Sequence, residues 1–430
     1  MIQPMRFRKI IPMICIAMLL VPSLVVRAQN MVANTDEQKV PPYTLPDPLR
    51  DKNGKSINTL QAWKQQQRPY IFKRFEENVY GRFPRQQLPL RFKVTEEPTR
   101  ALDGKATRKQ VRIFFGEQSN AYLDLLIYLP ATATGPVPVF TGYNFGGNHT
   151  VSADTGIYLS QQWVDARGKG VVNNKATAAS RGASASQWQV EEILSHGYGL
   201  AVAYYGDIEP DHPDGWKTGI RTTLSTALHI QPSEWGAIGA WAWGLSHIMD
   251  YLQQDKTVDA KKVAVMGHSR LGKAALWAAA ADERFGMVVS NESGEGGAAL
   301  SKRWYGETVA IINEKFPHWF SPNYKKYNDN TAALPVDQHM LLALMAPRPL
   351  YVASAEGDQW SDPKGEFLAA RNAGIVYALF GKKGIEQDTM PGLQQPVGNT
   401  IRYHYRAGKH DVTLYDWQQY LSFADSQWKN

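Results

Sequence analysis

Residues 263–273 read VAVMGHSRLGK, and this stretch decides the fold class that the sequence predicts. Its first four residues form an apolar run that predicts a buried strand, and the alanine-rich run over residues 274–281 predicts a helix. Ser269 lies between them, with one glycine two residues before it and another three residues after it. A serine on such a strand-to-helix turn projects its hydroxyl above the carboxyl edge of a sheet, where it can act as a nucleophile. The usual motif has its second glycine where this chain has Leu271, and the alternative interpretation is a serine that only caps the helix.

The segments around this motif alternate between strand and helix patterns. Short apolar runs predict strands over residues 90–95, 109–115, 122–129, 137–140, 200–205, 263–266, 287–290, 350–353 and 401–405. Helical spacing predicts helices over residues 60–80, 274–281 and 365–379, from Ser233 as an N-cap to Leu252, and after Tyr415. Strands that alternate with helices are typical of parallel sheets. We therefore predict an α/β protein in which residues 58–430 form one large domain, with a doubly wound, mostly parallel sheet and helices on both faces.

The first 28 residues have the pattern of a secretory signal peptide. Three basic residues within the first nine precede an apolar run over residues 10–26, and small residues suited to cleavage follow it. A membrane anchor is the alternative, but this run is interrupted by Pro22 and barely spans the ~30 Å of a bilayer core. We therefore expect a secreted or periplasmic protein with no membrane association after cleavage. Residues 29–57 are rich in proline, aspartate and asparagine and predict an extended lead-in to the domain.

Composition and charge exclude several classes of protein. The 430 residues are 43% hydrophobic, which suits a large buried core. The formal net charge is +7, but four of the positive charges and no acidic residue lie in residues 1–28, so the rest of the chain carries only +3. No basic stripe supports nucleic-acid binding. The single cysteine, Cys15, lies in the predicted signal peptide, so we expect no disulfide, no thiolate metal site and no cysteine nucleophile in the mature protein. Separately, we expect a monomer that uses no cofactor and no metal.

A serine nucleophile needs a histidine base, and the chain order typical of this architecture places that histidine late in the sequence. His410 follows the last predicted strand in a glycine-containing loop, which is where such a base is expected. His404 lies within that strand and is expected to be packed. His318 and His339 lie in a long irregular stretch before the strand over residues 350–353.

Two acids compete to orient His410. Asp358 follows the predicted strand over residues 350–353, and Glu292 follows the strand over residues 287–290. Either carboxylate can reach a histidine at the same sheet edge. Each also has a structural alternative, since Asp358 can cap the next helix and Glu292 can bind backbone amides of the glycine-rich loop at residues 294–297.

The developing oxyanion needs donors, and the sequence offers two sources. Arg270 follows the nucleophile and supplies a backbone N–H and a guanidinium. The loop NFGGNH at residues 144–149 is either a second donor or a tight turn beneath the site. A further acidic loop contains Asp207, Glu209, Asp211 and Asp214, and we expect it to be solvated rather than to bind calcium.

Several longer motifs carry a resemblance to a known family. They are GHSRLGK at 267–273, SNESGEGG at 290–297, NFGGNH at 144–149, EWGAIGAWAWG at 234–244 and APRPL at 346–350. Taken in their order along the chain, over roughly residues 60–425, these motifs resemble those of the bacterial glucuronoyl esterases of carbohydrate esterase family 15. The resemblance implies an α/β-hydrolase that hydrolyses the ester between 4-O-methyl-glucuronic acid of glucuronoxylan and lignin alcohols.

The resemblance also implies residue roles. Ser269 would form the acyl-enzyme, His410 would be the base, and Arg270 would bind the oxyanion. Lys273, Glu307 and Trp360 would hold the sugar. Members of the family place the acid at either candidate position, so the choice between Glu292 and Asp358 stays open.

Three other classes remain as alternatives. A general carboxylesterase or acetyl-xylan esterase would share the triad without needing the sugar-binding residues. A serine peptidase of this fold usually carries a further large domain, for which the chain has no room. A carbohydrate-binding protein would have no use for the serine, the histidine and an acid together.

Overall fold

The structure is a computed structural model that describes Met1, residues 33–117 and residues 120–429. Apart from Met1, the predicted signal peptide lies outside the described residues. From Ala33 onward the chain forms one compact unit around a ten-stranded sheet with the order β1-β2-β3-β7-β4-β8-β9-β10-β12-β11. The six strands from β7 to β12 in this order pair in parallel, and antiparallel strands lie at both edges.

The strands have the following bounds: β1 (Leu90–Ala101), β2 (Ala106–Phe115), β3 (Tyr122–Pro130), β4 (Val137–Asn144), β5 (Val171–Val172), β6 (Lys175–Ala176), β7 (Gly199–Tyr204), β8 (Val258–His268), β9 (Met287–Asn291), β10 (Leu350–Ala355), β11 (Val397–Gly398) and β12 (Ile401–Arg406). Every strand predicted from the sequence overlaps one of these. The short strands β5 and β6 form a separate hairpin. These two strands and β11 are only two residues long, too short for a recognisable apolar pattern, and were not predicted.

The helices have the following bounds: α1 (Leu60–Ala62), α2 (Arg68–Phe75), α3 (Ala185–Trp188), α4 (Val190–Ser195), α5 (Ile220–Thr223), α6 (Ser225–Leu228), α7 (Ala237–Leu252), α8 (Arg270–Ala281), α9 (Val309–Lys315), α10 (Gln338–Ala343), α11 (Pro363–Leu379) and α12 (Leu414–Trp428). Wider π-helical turns over Trp63–Gln67 and Glu76–Tyr80 extend α1 and α2, so residues 60–80 are helical throughout, as predicted.

Side chains of the central strands alternate between two hydrophobic cores. In β8, Val263 and Val265 belong to the core beneath α7, α8, α10 and α11, whereas Ala264 and Met266 belong to the core beneath α4 and α12. Successive residues of a strand point to opposite faces, so an unbroken apolar strand needs cover on both sides. This arrangement confirms the predicted α/β fold, with a mostly parallel sheet and helices on both of its faces.

The predicted helix cap at Ser233 is wrong. Ser233 lies in a short 3₁₀ turn, and α7 begins four residues later at Ala237, after Gly236. The first N–H groups of α7 donate to the carbonyls of His318 and Trp319 at 2.9 and 3.1 Å, so a distant loop satisfies the helix N-terminus. That backbone approaches so closely that a Cβ on Gly236 would lie 2.1 Å from Trp319 O.

The lead-in over residues 33–57 lies against the α/β domain. Glu37 pairs with Arg303 at 2.6 Å and with Lys364 at 2.8 Å, and Ile57 is buried in the larger core. No helix within the described residues is long and apolar enough to span a bilayer.

The turn between β8 and α8 leaves no space for a side chain at Gly267. An added Cβ would lie 2.0 Å from Leu271 O, which is backbone and cannot move aside without distorting the turn. We expect Gly267→Ala to lower the free energy of unfolding by about 1–3 kcal/mol or more, measured by denaturant unfolding. Gly135→Ala is the matched control, because a Cβ there meets no atom within 4 Å. Equal stability of the two variants would contradict this account of the turn.

Candidate active site

Ser269 occupies the first position after β8 in a backbone conformation that few residues adopt. Its φ and ψ angles are 56° and −130°, and its N–H donates to Asn291 O at 2.9 Å. It stands at the N-cap position of α8, but its side chain makes no capping hydrogen bond. A non-glycine residue held at positive φ stores strain that the surrounding structure must maintain. The hydroxyl is therefore not used for helix capping, which weakens the capping interpretation.

The structure brings His410 together with both predicted acids. His410 Nδ1 lies 2.6 Å from Asp358 Oδ2 and 3.0 Å from Glu292 Oε2. The imidazole side chain is 40% exposed, whereas both carboxylates are buried. Because Nδ1 faces the acids, Nε2 is the nitrogen left for a proton transfer.

Each acid has a second anchor. Arg406 Nη2 donates to Glu292 Oε1 at 2.5 Å, and the hydroxyl of Ser361 donates to Asp358 Oδ2 at 2.5 Å. The structural alternatives for both acids fail, because the N–H of Gly294 donates to Glu366 and the cap of α11 is Asp362. The structure thus places two acids on one histidine and does not select one.

The electrostatics of this cluster favour a charged imidazole. Burial opposes the charge on His410, but the hydrogen bonds and negative charges of Asp358 and Glu292 outweigh burial and raise its pKa to about 9. Burial raises the pKa of Glu292 to about 7 despite the opposing effects of His410 and Arg406. The pKa of Asp358 is lowered, because the bond and charge of His410 outweigh its burial. The three groups titrate as one coupled cluster.

His268, the residue before Ser269, packs against His410. Their ring centres are 4.3 Å apart, and His268 Nδ1 lies 2.9 Å from the amide nitrogen of Asn291. Burial, together with the positive charge of His410, lowers the pKa of His268 well below its usual range. The lowered pKa favours a neutral ring at His268, packed against His410.

The same groups offer the geometry of a metal site. Ligand atoms of His268, Glu292 and His410 lie within 4.8 Å of one another. The guanidinium of Arg406 lies against Glu292, and the raised pKa of His410 favours a proton on the ring. Both features oppose a bound cation, so the charges favour proton transfer over metal binding at this cluster.

Arg270 follows Ser269, and its guanidinium is held by one carboxylate and two rings. Nη1 donates to Asp211 Oδ2 at 2.8 Å, and the guanidinium carbon lies 5.1 Å from the ring centre of Trp319 and 5.3 Å from that of Phe145. Burial opposes the charge of Arg270, but the negative charge of Asp211 outweighs burial and raises the pKa. Nε is buried without a hydrogen-bond partner among the described residues. A partly exposed cation on the residue after a nucleophile can stabilise an oxyanion.

The acidic loop after β7 is not the solvated loop that we expected. Glu209 is fully buried and pairs with Arg221 at 2.6 Å, and the side chain of Asp211 is only 8% exposed. Burial also raises the pKa of Asp207 well above its usual range, whereas Asp214 is exposed. Protein donors occupy the oxygens of Glu209 and Asp211 that a calcium ion would need. The expectation failed because partners distant in sequence bury this loop.

The loop at residues 144–149 forms a hydrogen-bonded turn. Asn144 Oδ1 accepts the N–H of Gly147 at 2.7 Å, and the side chain of Asn144 also donates to Asn148. Phe145 projects from the turn and makes edge contact with His268, besides its contact with Arg270. The geometry matches the tight-turn alternative, and a role as second oxyanion donor stays a prediction.

The predicted sugar-binding residues come together around Lys273, which lies in α8 three residues after Arg270. Lys273 Nζ lies 3.7 Å from Glu307 Oε2, and both side chains are buried. The N–H of Glu307 donates to Trp360 O at 2.8 Å, and Trp360 itself is 37% exposed. Burial raises the pKa of Glu307 and lowers that of Lys273, although each partner opposes the shift of the other. The set combines an exposed aromatic face with a buried, charged pair.

Sequence reasoning missed Trp319. Its ring contacts Arg270 and lies 5.9 Å from Lys273 Nζ, and it stacks on Phe316 at 3.8 Å between ring centres. Its Nε1–H donates to Asp211 at 2.7 Å. The aromatic run His-Trp-Phe at residues 318–320 was the available signal, but it lies 50 residues beyond the serine motif and has no regular spacing to it.

Comparison with known proteins identifies relatives of this chain. A family model described as glucuronyl esterase, fungi, matches residues 223–381. The chain is 48% identical to carbohydrate esterase MZ0003, from an unknown prokaryotic organism, over 93% of both proteins. It is 37% identical to 4-O-methyl-glucuronoyl methylesterase 1 of Sodiomyces alcalophilus over 42% of this chain and 37% of that protein.

Solved structures are similar over nearly the whole length. A glucuronoyl esterase from Solibacter usitatus is 54% identical with a TM-score of 0.85, covering 91% of this chain and 100% of that chain. A promiscuous CE15 esterase from a marine bacterial metagenome is 47% identical with a TM-score of 0.87, covering 92% and 100%.

The two acids on His410 predict a distinctive pH dependence. A base whose pKa is raised to about 9 is neutral only above that pH, so kcat/KM should rise into the alkaline range. Glu292→Gln removes one negative charge and should move this rise to lower pH by about one unit or more. Asp358→Asn should act in the same direction, and the double variant should lose more activity than either single variant.

The pH profile of kcat/KM for a small ester checks this expectation. Glu356→Gln is the control, because Glu356 is an exposed acid two residues before Asp358 and should leave the profile in place. An unchanged profile in Glu292→Gln, together with a double variant no worse than Asp358→Asn, would assign Glu292 a purely structural role.

Proposed function

This chain belongs to the glucuronoyl esterases of carbohydrate esterase family 15, and on that premise we propose that it hydrolyses the ester joining 4-O-methyl-glucuronic acid of glucuronoxylan to a lignin alcohol. The protein is a carboxylic ester hydrolase. One observation supports this site as the place of the reaction. His410 is bonded to two buried carboxylates and lies beside the turn that holds Ser269 at positive φ.

In the first step, Ser269 Oγ attacks the carbonyl carbon of the glucuronoyl ester. His410 Nε2 takes the hydroxyl proton, and the negative charges of Asp358 and Glu292 stabilise the imidazolium. The ester carbonyl becomes an oxyanion in a tetrahedral intermediate. The intermediate collapses when its C–O bond to the alcohol breaks and His410 returns the proton to the leaving oxygen. The products are the free alcohol and a glucuronoyl ester of Ser269.

In the second step, water hydrolyses the acyl-enzyme. His410 takes a proton from water, the hydroxide attacks the same carbonyl, and a second oxyanion forms. Collapse releases glucuronic acid and returns the proton to Ser269 Oγ. We assign Arg270 to both steps, because it directly follows the nucleophile in the chain and its guanidinium is a positive charge held in place by Asp211.

Recognition of the acid side of the ester is assigned to Lys273, Glu307 and Trp360. A sugar ring presents hydroxyls at its edge and C–H groups on its faces. The charged pair suits the hydroxyls, and the exposed indole of Trp360 offers an apolar plate for a face. Lys315 lies 4.2 Å from the centre of that indole ring, which adds a cation on the same ring.

A broader esterase activity is the second candidate. The observation that favours it is the 47% identity with a protein described as a promiscuous CE15 esterase. Turnover of benzyl glucuronate beside 4-nitrophenyl acetate separates the two candidates. We propose that glucuronate esters are preferred, because a simple acetate ester leaves the pair Lys273 and Glu307 without a partner from the substrate.

Export of the enzyme fits this substrate. Residues 1–28 have the pattern of a signal peptide, and plant cell-wall polymers lie outside the cell. We propose that the enzyme acts after secretion or in the periplasm. The lead-in over residues 33–57 would remain in the mature enzyme, bound along the domain.

Loss of either partner in the proton transfer should abolish most of the chemistry. Ser269→Ala and His410→Ala are each expected to lower kcat on benzyl glucuronate by ~10³-fold or more, because the two side chains act as a unit. The double variant should be no worse than the single variants. Purified Ser269→Ala with near-native turnover and native circular dichroism would refute the proposed mechanism.

Removal of the aromatic plate should affect glucuronate esters selectively. Trp360→Ala is expected to weaken kcat/KM for benzyl glucuronate by ~10-fold, equivalent to about 1.4 kcal/mol of lost stacking, and to spare 4-nitrophenyl acetate. Trp304→Ala is the matched control, since Trp304 is similarly exposed at 39% and lies three residues from Glu307. Equal losses on both substrates, or the same selective loss in Trp304→Ala, would remove Trp360 from the sugar site.

A further inference from the structure

The carboxylate of Asp211 accepts hydrogen bonds from four donors, which come from three parts of the chain. Oδ1 accepts from His318 Nε2 at 2.8 Å and from Trp319 Nε1 at 2.7 Å. Oδ2 accepts from Arg270 Nη1 at 2.8 Å and from the hydroxyl of Tyr205 at 3.2 Å. Each oxygen therefore has two donors, and the carboxylate is fixed in position and rotation.

This carboxylate fixes Arg270 in turn. An arginine side chain has several rotatable bonds, and a guanidinium 24% exposed at the rim of a site would otherwise sample several positions. The bond to Asp211 uses Nη1, while Trp319 and Phe145 contact the guanidinium. The guanidinium is thereby held in one position while the side chain stays partly exposed, and Nε is buried without a hydrogen-bond partner among the described residues.

The neighbouring acid Glu209 shows the contrast. It lies in the same loop and is more deeply buried, but it pairs with Arg221, which in turn donates to the carbonyls of Pro232 and Trp235. That pair ties the loop to the start of α7 and does not contact Arg270 in the residues described. Burial of an acid in this loop therefore does not by itself imply a link to the reaction.

We propose that Asp211 is a positioning residue that sets the guanidinium of Arg270 for the oxyanion, a role that rests on the proposed function of Arg270. His318, Trp319 and Tyr205 act one step further away by orienting the carboxylate. Oxyanion stabilisation depends on donors placed before charge develops, and a misplacement of about 1 Å can cost ~10²-fold in rate. Loss of Asp211 should therefore lower kcat, because Arg270 is then misplaced.

A double-mutant cycle on kcat tests this role, with 4-nitrophenyl acetate as substrate because it bypasses the sugar site. Arg270→Ala should lower kcat by ~10²-fold. Asp211→Asn keeps the size of the side chain but turns one acceptor into a donor, and it should lower kcat by ~10-fold or more with little change in KM. In the Arg270→Ala background, Asp211→Asn should cause no further loss, because the group it positions is gone.

Two further variants keep the test decisive. Glu209→Gln, the matched control, should leave kcat per folded enzyme unchanged even if stability falls. Trp319→Phe removes one donor to Asp211 but keeps an aromatic ring, and it should lower kcat in the same direction only when Arg270 is present. This variant carries the test if Asp211→Asn does not fold.

The outcomes separate this inference from the proposed function. A kcat loss in Asp211→Asn that persists at full size in the Arg270→Ala background overturns the positioning role, as does a native kcat in a folded Asp211→Asn. A native kcat in Arg270→Ala overturns the role of Arg270 and with it that of Asp211. Esterase action by Ser269 and His410 is judged separately, by the loss of turnover in Ser269→Ala.

Discussion

Parallel pairing of β8, β9, β10 and β12 places His268, Asn291, Ala353 and His404 in one row across the sheet. The loops that leave this row carry Ser269, Glu292, Asp358 and His410. Parallel strands end at the same edge, so residues up to 141 positions apart in sequence meet there. Backbone hydrogen bonds extend this pairing by one residue: the N–H of Ser269 donates to Asn291 O, and the N–H of Glu292 donates to Ala353 O. The geometry of the site thus depends on strand register before any side chain is considered.

The charged side chains near this row of residues lie in pairs of opposite charge. On one side, His410 lies against two carboxylates, and Glu292 is shared with Arg406, which also pairs with Asp416 at 2.8 Å. On the other side, Arg270 pairs with Asp211 and Lys273 with Glu307. A buried charge without a partner is costly, so each of these cations needs an acid beside it. The acids orient these cations as well as neutralise them.

Trp319 links the two cations on the second side. Its ring contacts Arg270 and Lys273, its Nε1–H reaches Asp211, and its backbone carbonyl accepts an N–H of α7. Backbone hydrogen bonds to the N-terminus of α7 therefore fix the loop at residues 316–320, and its side chains extend from this fixed backbone. This contact explains why α7 begins at Ala237 and why Gly236, at the close approach to Trp319 O, has no side chain.

The sequence by itself determined the strand and helix pattern, the serine on its turn, and the order of serine, acids and histidine along the chain. These features are local: apolar periodicity and glycine spacing act over a few residues, so they can be recognised without the fold. The tertiary structure decided that Asp358 and Glu292 share one nitrogen of His410, and that Asp211 lies under Arg270 rather than in solvent. An aspartate in a proline-rich and glycine-rich loop has the same local pattern whether it is exposed or buried. Its partners Arg270, His318 and Trp319 lie 59 to 108 residues away, and only packing brings them to it.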